Sequence, residues 1–124
     1  MSIRPEFVQR ILKREKKFEF RRTIFRRQVD VVVIYVTNPI QRVIGEFDVA
    51  GIIHDSVDNL WECTSEYAGI DRERFVQYYD GRNNGYAIKI GEVRLYEQPL
   101  ELSTHFGVSP PQSFVYLDFP WPTC

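Results

Sequence analysis

Four charged residues within seven positions have the chemistry of a site for phosphate or for a nucleobase. Lys16, Glu19, Arg21 and Arg22 lie along a short alternating segment. An arginine can hold a phosphate with two hydrogen bonds or stack on a base, whereas a lysine acts as a point charge. On a strand, Glu19 and Arg21 share a face, so the carboxylate can orient the guanidinium or accept from a base amino group. The alternative is a solvated strand face with an ion pair that contributes about 0–1 kcal/mol.

The charge of the chain is distributed very unevenly. The first 27 residues hold ten Lys or Arg against three acidic residues (+7), and the other 97 hold six against fourteen (−8), for a net charge of −1. A concentrated positive surface is typical of proteins that bind polyanions. Apolar residues are threaded through the basic segment, so we expect it to pack against the fold. Five further basic residues are predicted to form a rim that contacts phosphates without sequence choice: Arg10, Lys13, Lys17, Arg26 and Arg27.

The elements that must position these residues are a leading helix, several short strands and a helical insertion. Ser2 and Pro5 predict a first helix that runs to about Lys13. Two helices are predicted between residues 55 and 81: Asp55 or Ser56 can cap the first, which Gly69 ends, and Asp71 can cap the second, which Gly81 ends. Alternation and β-branched residues predict strands over 17–22, 29–36, 42–53, 86–90, 93–96 and 113–117, with the fourth and fifth forming a hairpin around Gly91. This pattern predicts an α+β, mainly β fold: a small closed or partly closed barrel in which the strand glycines mark corners.

Length and composition favour one domain over residues 1–124. With 124 residues, 44% of them hydrophobic, the chain has enough apolar side chains for one core. The longest apolar run, 31–36, is too short to span a membrane, and the N-terminus lacks the apolar region of a signal peptide. Cys63 and Cys124 have no metal-ligand spacing. We therefore expect reduced thiols, no metal, no cofactor and a cytoplasmic location.

The segment from Arg14 to Arg21 resembles the G-x-K-x-x-E-x-R signature of the ASCH domains, which belong to the PUA-like superfamily. Lys16, Glu19 and Arg21 match the signature, and Arg14 replaces its glycine. Three other segments resemble the first helix, the late core strand and the closing strand of this family: Ile3–Phe7, Gly85–Ile90 and Pro110–Phe114. The resemblance spans nearly the whole chain and implies a PUA-like β-barrel with a cleft beside the first helix.

The resemblance also implies RNA binding, with a role in translation, RNA metabolism or transcriptional regulation. Together with the charge pattern it predicts that RNA, or a nucleoside-type ligand, contacts Lys16, Lys17, Glu19, Arg21, Arg22, Tyr86, Gln112 and Ser113. Tyr86 is the predicted stacking ring near the cleft. Gln112 and Ser113 follow two prolines and offer hydrogen-bonding groups on a stiffened backbone.

A second prediction is a small amidohydrolase that acts on an acylated or otherwise modified nucleoside. One branch of the family hydrolyses N-acetylated cytidine with a Lys, a Thr and a Glu. Lys16 takes the lysine position, Glu19 stands where that branch has its threonine, and Glu66 is the nearest candidate for the glutamate. Such catalysis would need a buried Lys16 with a lowered pKa. His54 and His105 have no triad context. A third prediction is a protein-interaction module whose basic face meets an acidic partner.

Overall fold

One mixed β-sheet with three α-helices around it forms the described part of the chain. The structure is a computed structural model, and it describes residues 1–102, 104, 107, 114 and 116. In chain order the elements are β1 (Ser2–Ile3), α1 (Pro5–Leu12), β2 (Phe18–Arg21), β3 (Val31–Val36), β4 (Arg42–Ser56), α2 (Val57–Thr64), a 3-10 turn (Ser65–Tyr67), α3 (Arg72–Tyr78) and β5 (Asn84–Leu100). The predicted α+β, mainly β class is confirmed.

The five strands are ordered β1-β3-β4-β5-β2, so β1 and β2 are the two edges of the sheet. The β1 strand is parallel to β3, and the other pairs are antiparallel. Among the described residues the sheet is open, so the predicted barrel is not confirmed. A side chain links the two edge strands instead: the Arg21 guanidinium donates to the carbonyl oxygen of Ser2 at 3.1 Å.

Two predictions about local structure are wrong. Residues 84–100 form one continuous strand, so there is no hairpin around Gly91. A Cβ on Gly91 would lie 3.0 Å from the carbonyl oxygen of Asp48, so this glycine permits close packing against β4. Ser2 is not a helix cap, because it lies in β1 beside Tyr35 of β3. Two residues are too few to show a strand pattern in the sequence.

The two faces of the sheet are covered by different elements, and alternate residues of β2 point toward one face or the other. Phe20 faces α2 and α3, where it packs in a cluster with Leu60, Phe75 and Tyr79. On the opposite face α1 packs on a second cluster, formed by Ile3, Val8, Ile11, Val32, Ile34, Val36, Phe47, Ile88 and Met1. Since side chains alternate along a strand, Glu19 and Arg21 point toward this second face.

The region after residue 102 is described at only a few positions. Gln112, Ser113, His105, Cys124 and most of the predicted strand over 113–117 lie outside the described residues. Phe114 is described, and its ring packs edge-on against Phe25 with centroids 5.3 Å apart. In the described part of the chain, no helix is both long enough and apolar enough to cross a bilayer.

Candidate functional site

Lys16 is buried directly after α1, although lysine is among the residue types least often buried. Only 3% of its surface is exposed. Its ammonium donates to the carbonyl oxygen of Ala68 at 2.9 Å. It also lies over two rings, 4.7 Å from the centroid of Phe20 and 5.4 Å from that of Phe7. These contacts compensate part of the cost of removing the charge from water.

A short segment over residues 67–69 covers Lys16. Its three consecutive carbonyl oxygens accept hydrogen bonds from the backbone N–H of Lys17, the ammonium of Lys16 and the guanidinium of Arg10, respectively. Gly69 has a φ of 64°, and a Cβ at this position would lie 2.6 Å from Cγ of Lys16. Only glycine combines this left-handed conformation with such close packing on the lysine stem. The helical insertion is therefore attached to the basic segment through Lys16.

Glu19 and Arg21 are buried side by side on β2. Glu19 is 7% exposed and Arg21 is 9% exposed, so the predicted strand face is not a solvated one. The guanidinium lies 3.9 Å from Oε1 of Glu19 and also reaches Ser2 on the opposite sheet edge. The other carboxylate oxygen, Oε2, is buried and receives no hydrogen bond from any residue that the structure describes.

Burial controls the electrostatics of this cluster. It lowers the pKa of Lys16, an effect that the charge of Glu19 opposes and those of Arg21 and Arg10 reinforce. Burial also raises the pKa of Tyr78, while the charge of Arg21 lowers it and that of Glu19 raises it. Tyr78 therefore lies within the field of the Glu19–Arg21 pair.

The lowered pKa of Lys16 predicts a pH-dependent stability. Because the folded state holds this proton less tightly than the unfolded chain, the free energy of unfolding should rise with pH between the lowered pKa and about 10.4. One proton gives a slope of at most about 1.4 kcal/mol per pH unit. Urea unfolding at pH 8 to 10 should show this rise in the wild-type protein and lack it in Lys16→Met.

The chosen pH range separates Lys16 from its ionisable neighbours. Burial lowers the pKa of the Met1 amine to about 5, so that group acts on stability below pH 8. The pKa values of Tyr78 and Tyr79 are raised by burial, so those tyrosines reduce stability only above pH 10. A rise of equal size in the wild type and in Lys16→Met would contradict the assignment to Lys16.

Three exposed cations beside the buried cluster lie over tyrosine rings. The ammonium of Lys17 is 4.0 Å from the centroid of Tyr67. The guanidinium of Arg22 is 4.7 Å from that of Tyr78, and Arg27 is 4.3 Å from that of Tyr116. Arg22 also donates to the carbonyl oxygen of Tyr78 at 2.8 Å, which holds the guanidinium in place. Among the predicted rim residues, Lys17 and Arg27 therefore belong to ordered cation–aromatic pairs.

Tyr86 lies next to the buried pair, on the same face of the sheet. It is the cross-strand partner of Arg21 on one side and of His54 on the other. The rings of Tyr86 and His54 are stacked, with centroids 4.2 Å apart and planes 12° from parallel. Tyr86 is half-buried and His54 is exposed, so this row of side chains leads from the buried Arg21 to solvent.

Glu66 differs in exposure from the other proposed catalytic residues. Glu66 is exposed on the 3-10 turn, whereas Lys16 and Glu19 are buried. The sequence analysis missed the carbonyl groups of Ser2 and Ala68, which hold Arg21 and Lys16. Backbone carbonyl groups are the same at every position, so the sequence does not indicate which of them bind side chains. Gly69, which packs on the Lys16 side chain, was interpreted as the end of a helix. Within the described residues, no group of three or more His, Cys, Asp or Glu side chains could hold a metal ion.

The mixed sheet and its helices have the fold of a known class of domain. The family model of the ASCH domain matches residues 1–97. The chain therefore belongs to the ASCH domain family.

The chain is also similar to solved structures and to parts of curated sequences. The crystal structure of the ASCH protein from Zymomonas mobilis has a TM-score of 0.86 and 27% identity, over 96% of this chain and 86% of that one. Large ribosomal subunit protein uL22 of Ureaplasma parvum is 29% identical over 103 residues, which are 83% of this chain and 33% of that protein. ATP synthase subunit alpha of the same species is 27% identical over 118 residues, 94% of this chain and 15% of that protein. The chain thus spans a third or less of these curated relatives.

Proposed function

We propose that this ASCH domain binds single-stranded RNA, or a nucleotide moiety of it, on the surface formed by Lys17, Arg22 and Arg27 and their tyrosine partners. The observation that carries the proposal is that each of these exposed cations lies over a tyrosine ring. Unpaired nucleic acid is bound by this combination, in which cations contact the phosphates and bases stack on flat side chains. We refer to this set of residues as the cation–tyrosine surface.

The buried cluster supports the cation–tyrosine surface from beneath. Lys16 donates a hydrogen bond to Ala68, the residue that follows Tyr67 at the end of the 3-10 turn, and so holds Tyr67 in place. Arg21 is the last residue of β2, directly before Arg22, and links this end of the strand to the opposite sheet edge. The proposal therefore assigns Lys16 and Arg21 to organising the surface, and the phosphate contacts to their exposed neighbours.

The relatives support the proposal only in part. One is named as a protein of the large ribosomal subunit, but another is named as a subunit of ATP synthase. Similar domains thus lie within chains that have unrelated names. We therefore base the proposal on the surface of this domain, and we retain a cytoplasmic location as an expectation.

The RNA proposal predicts a specific change in the salt dependence of binding. The double variant Lys17→Ala/Arg22→Ala should bind a 12-nucleotide single-stranded RNA at least about tenfold more weakly at 0.1 M salt, since it loses two phosphate contacts and the cations that order the tyrosine rings. Its slope of log affinity against log salt should fall by about 1.4, because each contact to a single strand contributes about 0.7. Fluorescence anisotropy at several salt concentrations measures both quantities.

A double variant of equal charge provides the control. Arg42 and Arg72 are charged residues outside the basic segment, so Arg42→Ala/Arg72→Ala changes the net charge by the same amount. It should leave both the affinity and the slope nearly unchanged. Equal losses of affinity in the two double variants would show that net charge, and not the cation–tyrosine surface, determines binding. Absence of binding at 20 mM salt would overturn the proposal.

A second candidate function is hydrolysis of an acylated nucleoside, which the burial and lowered pKa of Lys16 favour. A lysine with a lowered pKa gives up its proton more readily and can then act as a base. The exposed position of Glu66 leaves Glu19 as the nearest carboxylate to take part. Incubation with N-acylated cytidine, followed by chromatography, tests this candidate directly. Absence of deacylation over a range of acyl groups would exclude it.

A further inference from the structure

The second carboxylate oxygen of Glu19 is an unused acceptor. The side chain is nine-tenths buried, and Oε2 receives no hydrogen bond from the described residues. Its companion oxygen lies 3.9 Å from the Arg21 guanidinium, too far for a hydrogen bond. A buried carboxylate oxygen without a donor is unfavourable by several kcal/mol in general, so groups of this kind are usually satisfied by water or by a ligand.

One of the two rows of side chains beside the buried pair leads to solvent. The row at Glu19 passes through the fully buried Ile88 before it reaches Ile52, which is 44% exposed. The neighbouring row passes from Arg21 through Tyr86 to His54, and exposure increases in the same direction. A flat ligand would therefore have to enter along the Tyr86–His54 row, beside the two stacked rings, with its edge directed at Glu19.

The chemistry of the acceptor restricts what that edge can be. A carboxylate repels phosphate, so Glu19 does not serve as a contact to the RNA backbone. The carboxylate of Glu19 instead requires an N–H donor. A hydrogen bond to an ionised carboxylate is stronger than one between neutral groups. The exocyclic amino group of cytosine or adenine projects from the ring and can reach a recessed oxygen. The imino N–H of uracil is flanked by two carbonyl oxygens, which would be placed against the carboxylate.

We propose that Glu19 reads the exocyclic amino group of a nucleobase, so that the domain prefers amino-bearing bases over uracil. This inference rests on the proposed RNA binding and adds a base preference to it. Carboxylates accept from the amino group of cytosine in other nucleic-acid complexes, and a good base-edge contact discriminates strongly against the wrong base. Lys16 and Arg21 hold the surrounding cluster in place for this contact.

Two pyrimidine oligomers provide the direct test. Hexacytidylate and hexauridylate differ mainly in the group at ring position 4 and the adjacent nitrogen, so their affinities can be compared at one salt concentration. The wild-type protein should bind hexacytidylate about tenfold more tightly. Glu19→Gln should lose or reverse this preference, because its amide can donate to the uracil carbonyl. Glu15→Gln removes the same charge from an exposed residue and should keep the preference.

A modified oligomer tests the inference without altering the protein. Hexacytidylate with both amino hydrogens replaced by methyl groups offers no donor, and the wild-type protein should bind it no more tightly than hexauridylate. Equal affinity for all three oligomers would overturn the inference while leaving RNA binding intact. Absence of binding to any of them would instead contradict the proposed function. A preference retained in folded Glu19→Gln would assign the base contact to another residue.

Discussion

Replacing Lys16 with alanine is expected to lower the free energy of unfolding by about 3 kcal/mol. The substitution removes a buried side chain whose stem packs on Gly69 and whose ammonium lies over the Phe20 ring. It leaves the buried carbonyl oxygen of Ala68 without its donor and takes a positive charge away from Glu19. Removing the desolvation cost of the ammonium offsets only part of this loss.

Urea denaturation followed by circular dichroism measures the effect, and Lys13→Ala is the matched control. Lys13 is an exposed lysine three residues earlier in the chain. Its replacement should change the free energy of unfolding by no more than about 0.5 kcal/mol. A loss below about 1 kcal/mol for Lys16→Ala would show that the motif lysine is not a structural anchor. Its burial would then have to be explained by ligand chemistry alone.

Gly85→Ala is the second substitution with a large expected effect, a loss of about 2–3 kcal/mol. A Cβ at position 85 would lie 2.7 Å from Cζ of Tyr79 and 3.0 Å from its Cδ1. The tyrosine ring cannot move aside easily, because it is fully buried and its hydroxyl donates to the carbonyl oxygen of Tyr86 at 2.9 Å. The same hydroxyl lies 3.2 Å from the carbonyl oxygen of Arg21. The clash would therefore disturb the junction of β2 and β5 beneath the site.

Gly51→Ala controls for the general effect of adding a methyl group to a strand glycine. A Cβ on Gly51 of β4 would meet no atom within 4 Å. This variant should be neutral or slightly more stable, since alanine restricts the unfolded chain more than glycine does. Thermal unfolding of the two variants in parallel makes the comparison. Similar melting temperatures would show that the Tyr79 ring can repack.

The predicted local elements that are confirmed share one feature, a strong local signal. Alternation predicted β2, and Gly45 and Gly51 marked the long strand β4, which the structure shows with register shifts beside both glycines. Asp55 or Ser56 was expected to cap one helix and Asp71 the next, and the side chains of Ser56 and Asp71 each accept a backbone N–H at the start of their helices. Where the signal was weak or ambiguous, as at the two-residue β1 and at Gly91, the prediction failed.

The candidate site shows where sequence reasoning ends. The identities of Lys16, Glu19 and Arg21 were enough to select them and to indicate the family, which the family model confirms. Their burial could not be read from the chain, because charged residues on an alternating strand usually face water. The proposed contacts to RNA are Lys17 and Arg22, because these side chains are exposed whereas Lys16 and Arg21 are buried. Only the structure shows this difference.

By itself the sequence determined the residue types of the site, the strong positive charge of the first 27 residues and the mainly β class. These properties depend on neighbours along the chain, which periodicity and composition report directly. Only the tertiary structure decided that residues 67–69 close over Lys16, that Ser2 meets Arg21 and that one oxygen of Glu19 has no donor among the described residues. Those contacts join positions 19 to 52 residues apart, often through backbone carbonyls, which are chemically the same at every position.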